Sequence, residues 1–86
     1  MAFTFYIEKP ADVPATLEKL KEHVAQNKGK IYGDNTRGAI FINGGEGVYI
    51  VQEASIKIIV SKKPSALIPN RMVENEIRKI FREVSR

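Results

Sequence analysis

The chain has 86 residues, 43 % hydrophobic and 28 % charged, with 14 Lys and Arg against 10 Asp and Glu for a formal charge of +4. That size and balance predict one soluble domain, residues 1–86, with a thin core, since such a chain buries roughly 60–65 % of the surface its unfolded form exposes. Having no cysteine excludes disulfides, thiolate metal sites and cysteine nucleophiles. The start Met1 to Tyr6 carries no basic leader, and no run reaches the length of a membrane span, so the expectation is a cytoplasmic protein.

Phe3, Phe5 and Ile7 alternate with Thr4, Tyr6 and Glu8, the period of a strand with one buried side. Pro10 ends it, Asp12 stands where a helix cap belongs, and Pro14 falls in the first helical turn, where a missing donor is harmless. Val13, Leu17, Leu20 and Val24 then recur at helical spacing, which predicts a helix from about Val13 to Asn27, closed by Gly29 in a left-handed conformation. A meander follows. Lys30 to Gly33, Ala39 to Ile42, Val48 to Val51 and Ile56 to Val60 read as strands, separated by turn formers at Asp34 to Gly38, the hairpin signal Asn43-Gly44-Gly45, and Gln52 to Ser55. The glycines of these turns, Gly33 and Gly38 included, are expected to supply positive φ. Connections this short force antiparallel neighbours. Leu67 and Ile68 are expected to tuck under the start of a second helix, capped by Asn70. Its apolar stripe is Val73, Ile77, Ile80, Phe81 and Val84, and Glu74 stands four residues before Arg78 as a surface ion pair.

The order strand, helix, four-stranded meander, helix defines an α+β fold, an antiparallel sheet with both helices packed on one face. The strands are apolar on both sides, so the second face retains greasy surface. If Ile56, Ile58 and Val60 face the helices, Ile59 points away and is joined either by Tyr49 and Val51 or by Val48 and Ile50. Three readings of that face follow. Sheet curvature or the stems of Lys57 and Arg37 shield it, two copies pair through it or through a sheet edge, or a small apolar ligand covers it. The expected interface is Phe41, Tyr49, Val51 and Ile59, and the expected assembly a homodimer.

Chemistry is sparse. His23 is a lone imidazole beside the first helical stripe, no serine has a base and an orienting acid at motif spacing, and the carboxylates Asp34, Glu46 and Glu53 sit on separate turns. Asn43 to Gly47 lies between strands and lacks a following Lys-Ser or Lys-Thr, so it reads as a hairpin and not a phosphate cradle. No enzyme activity, cofactor or metal is therefore expected. Arg71, Arg78, Arg82 and Arg86 fall near one line of the second helix and could meet a nucleic acid or another acidic surface. Glu74, Glu76 and Glu83 on the same helix, and the lack of an interleaved aromatic, oppose that use.

Tyr6-Ile7-Glu8-Lys9-Pro10, Asp12-Val13-Pro14 and the charged helix after them resemble the opening of the small bacterial polyhydroxyalkanoic acid system proteins. So does the end, a strand, then Leu67-Ile68-Pro69 and a helix carrying Val73-Glu74-Asn75-Glu76-Ile77-Arg78. The resemblance implies a fold and a granule-associated or accessory role, not a reaction. The combined expectation is a non-catalytic binding or assembly module that self-associates, with an acidic-surface or nucleic-acid binder as the alternative.

Overall fold

The computed structural model describes residues 2–85. Strand β1 (Phe3–Glu8) buries Phe5 and Ile7 and turns Thr4, Tyr6 and Glu8 outward, as its period of two requires. The Asp12 carboxylate accepts the N–H of Ala15 at 3.0 Å and opens helix α1 (Val13–Gln26), whose buried positions include Leu17, Leu20 and Val24. Strands β2 (Lys30–Gly33), β3 (Arg37–Ile42), β4 (Gly45–Val51) and β5 (Ser55–Lys62) form the meander, and helix α2 (Asn70–Val84) closes the chain.

The sheet order is β1-β5-β4-β3-β2, every pairing antiparallel. The two edge strands β1 and β2 therefore run in the same direction, and α1 must carry the chain across the whole sheet between them. It packs on β2 and on α2, while α2 packs on β1, so both helices lie on one face. The core fills the space between: Phe5 and Ile7 from β1, Tyr49 from β4, Ile56, Ile58 and Val60 from β5, and Leu17, Leu20, Val24, Val73, Phe81 and Val84 from the helices.

The β3–β4 loop is the two residues Asn43 (φ 54) and Gly44 (φ 83), the paired left-handed conformation whose twist matches a hairpin. That turn sets the register. Ile42 pairs with Gly45, Ile40 with Gly47 and Gly38 with Tyr49, and since cross-strand partners share a face, all six look toward the helices.

Four local expectations are corrected. Helix α1 ends in a Schellman motif in which Lys28 (φ 61), not Gly29, takes the left-handed position, and Gly29 donates to the Val24 carbonyl at 2.9 Å. Gly29 is needed for close approach instead, because a Cβ there would reach the Phe41 carbonyl. Gly38, Gly45 and Gly47 likewise have no positive φ; Gly38 makes room for the Tyr49 ring. The cap position of α2 is Pro69, which has no side-chain acceptor, so Asn70 is the first helical residue. Leu67 is 93 % exposed while Ile68 alone packs inward, the intervening chain being held by the Lys63 ammonium donating to the Ile68 carbonyl at 2.8 Å.

Candidate functional site

Between the helices and the sheet lies a cleft of about 420 Å3. Its walls are Leu20 and Val24 of α1 and Val73, Ile77, Ile80 and Phe81 of α2, and its floor is Ile40, Ile42, Gly47, Ile58 and Val60. Ile68 and the 61 % exposed Met72 continue the apolar lining outward. Polar side chains are confined to the rim, the half-buried His23 and the exposed Asn27, Asn43, Lys62 and Glu76, while Glu46, the cross-strand partner of Phe41, turns to the other face of the sheet. An apolar cavity of about 150 Å3 is enough to stay dry and take up benzene, so this one has room for a larger hydrocarbon.

The cleft follows from one residue choice. Every inward position around it carries a large side chain except on β4, which presents Gly45 and Gly47. Over Gly45 the space is taken by the Pro64 ring, within 3.2 Å of where a Cβ would lie. Over Gly47 a Cβ would meet only the Ile59 carbonyl, at 3.3 Å, and that atom belongs to the sheet itself. The volume between the helices is therefore not filled from below. The apolar stripe of α2 leans over that gap, which is why Ile77 and Ile80 are only partly buried while Val73, Phe81 and Val84 are buried.

The opposite face of the sheet has no helix over it. It carries Phe41 and Ile59 as expected, but Tyr49 and Val51 belong to the helix side, so two of the four expected interface residues are corrected. The physical reason is the hairpin register: Tyr49 stands opposite Gly38, where its ring replaces the missing side chain, and its hydroxyl donates to the Asp34 carbonyl at 2.6 Å. Tyr49 is fully buried, and burial, followed by the charge of Asp34, raises its pKa above the ordinary tyrosine value. The outward partners are instead Val48 and Ile50. With Ile59 and Ala39 they are half-buried among their neighbours, and the large hydrophobic side chains exposed on this face are aromatic: Tyr6, Tyr32 and Phe41.

The arginine line of α2 is interrupted. Arg78 donates to the Glu74 carboxylate at 2.9 Å and lies 5.1 Å over the Phe5 ring, closing the edge of the core, whereas Arg71 and Arg82 are exposed. Arg86 lies outside the described residues. The hairpin turn before β3 holds the most perturbed carboxyl: Asp34 accepts the Thr36 hydroxyl at 2.6 Å and the N–H groups of Thr36 and Arg37 at 2.8 and 3.1 Å, which lowers its pKa to about 2. This is a turn lock, since all three donors lie within the turn itself. Among the described residues no group of His, Asp and Glu is placed to hold a metal ion, and no helix is long and apolar enough to cross a membrane.

Hydrophobic periodicity does not reveal the cleft, although a signal for it exists in the turn. Counting back from the two-residue turn at Asn43-Gly44 places Gly47 inward between Ile40 and Val60, and a glycine at an inward strand position is a gap in the core. Comparison with protein-family models, curated proteins and solved structures finds no match to this chain.

Proposed function

We propose that this protein is a non-catalytic binding module that holds a small, uncharged, largely apolar molecule in the cleft between its helices. The observation that carries the reading is the inward glycine at position 47, which leaves unfilled the floor of an apolar space walled by the two helices. Pockets of this size, apolar within and polar only at the mouth, are the usual form of a small-molecule site. The rim sets the charge preference. Glu76 offsets Lys62 at the mouth, so an anionic headgroup meets no net positive charge there, and the amides of Asn27 and Asn43 suit a neutral polar end.

The uncharged fluorophore N-phenyl-1-naphthylamine tests this. A ligand of about 17 non-hydrogen atoms at roughly 0.3 kcal/mol each gives about 5 kcal/mol, a Kd near ~0.2 mM. Saturable enhancement with one site per chain is the expected result, and Gly47→Leu, whose side chain would occupy the floor, should weaken it at least tenfold while the far-UV spectrum is unchanged. An enhancement indifferent to Gly47→Leu would place the dye elsewhere and remove the reading.

A further inference from the structure

We infer that the uncovered face of the sheet is a platform for single-stranded nucleic acid, at a site separate from the cleft. Tyr6 on β1, Tyr32 on β2 and Phe41 on β3 protrude from it, 51, 57 and 39 % exposed. Each ring has a cation as its cross-strand neighbour. Lys57 is opposite Tyr6 and Lys30 is opposite Phe41, while Arg37 is diagonal to Tyr32, two residues from that ring's partner Ala39. Tyr32 and Phe41 meet edge to face with centroids 6.0 Å apart. Two carboxylates also turn to this side near the strand ends, Glu8 two residues along β1 from Tyr6 and Glu46 opposite Phe41, which leaves the middle row Ile59, Val48, Ala39 and Tyr32 without one.

Alternating rings and cations match the chemistry of one polymer in particular. Every base has a π face that stacks on an aromatic ring whatever the sequence, and the phosphates between bases take up ammonium and guanidinium groups. The rings stand on both edge strands, and four interstrand spacings of about 4.8 Å separate those edges by roughly 19 Å, so a strand laid across the sheet meets all three. A duplex keeps its base faces stacked and would gain the charge interaction alone. A second copy of this chain fits less well. Face to face it would bring six cations, Lys30, Arg37 and Lys57 from each copy, together with only four carboxylates, and the aliphatic residues that would drive association are already half-covered within their own sheet. The net charge of +4 favours a polyanion over another copy. The aromatic groups missing from the arginine line of α2 are thus found on the sheet.

Fluorescence anisotropy of labelled oligothymidine and oligouridine, each of about twelve nucleotides, and of a duplex of the same length, reads this out, since twelve falls within the site sizes of comparable single-strand binders. Expected are at least tenfold tighter binding of one or both single strands than of the duplex, and a slope of log affinity against log salt of about −2, from three phosphates at roughly 0.7 each. Oligodeoxyuridine of the same length holds the base constant, so a preference between it and oligouridine assigns the sugar. Tyr32→Ala combined with Phe41→Ala should weaken binding at least tenfold with the circular dichroism unchanged, because both rings are exposed, and Arg37→Glu with Lys57→Glu should flatten the slope. Gly47→Leu should leave nucleic-acid binding as it was, which separates this site from the cleft. Equal affinity for duplex, or binding indifferent to both ring and charge variants, overturns the inference. So does a ring-dependent doubling of mass in light scattering without oligonucleotide binding, which would assign the face to a second copy.

Discussion

Replacing Gly47 by valine should make the protein more stable, against the usual direction of core substitutions. The new side chain would enter the cleft floor between Ile40 and Val60, where burial of an aliphatic side chain is worth about 1.5–3 kcal/mol. Restricting the unfolded chain at a former glycine adds about 0.4–1 kcal/mol. Opposing these is the 3.3 Å approach of the Cβ to the Ile59 carbonyl, a backbone atom that can yield only a few tenths of an ångström, for which a cost of about 1 kcal/mol is appropriate. Partial burial in a cleft open at its rim takes the first figure to its low end. The net is about +1 kcal/mol, and for a domain of this length that raises Tm by roughly 4–8 °C. Thermal melting followed by circular dichroism, with urea unfolding to check that the m-value is unchanged, measures it. A Tm lowered by several degrees would mean that the space over Gly47 is already closed by the helices, and the binding reading would fall with it.

Gly38→Ala tests the register that turns Tyr49 inward. Its Cβ would overlap the Tyr49 ring and the Tyr32 carbonyl, so a loss of about 2–4 kcal/mol is expected in urea unfolding, and a change under about 0.5 kcal/mol would refute that packing. Asp34 makes a pH-dependent contribution. Its carboxyl titrates at about 2 in the folded turn against an ordinary 3.8, so its stabilisation is fully present above about pH 4 and is lost as the pH falls through about 2. The difference in urea midpoint between the parent protein and Asp34→Ala should therefore shrink over that window; a difference constant with pH would show that the turn does not depend on the ionised carboxylate.

Elements were legible because each is specified locally. The alternation of Phe3, Phe5 and Ile7, the Asp12 cap with Pro14 behind it, and the stripe from Val73 to Val84 each depend on contacts or periods within a few residues, and all three appear where the pattern puts them. The face of each strand was harder. Val48 to Val51 is apolar at every position, so its own composition cannot say which residues turn inward, and the expectation that Tyr49 and Val51 face outward fails for that reason. The answer lay in a partner strand: Gly38 removes a side chain that Tyr49 supplies, and the Asn43-Gly44 turn holds the two opposite each other.

Order along the chain, the class of fold and the antiparallel pairing of the meander were thus determined by the sequence alone, because helix periods, turn residues and short connections act over distances of a few residues. Tertiary structure decided where β1 inserts, which side of β4 is buried, that Arg78 closes the core while Tyr6, Tyr32 and Phe41 share a face, and that a cleft opens above Gly47. Each of these is set only in the assembled sheet, when α1 crosses from one edge to the other to rest on β2 and α2 comes back beside it over β1.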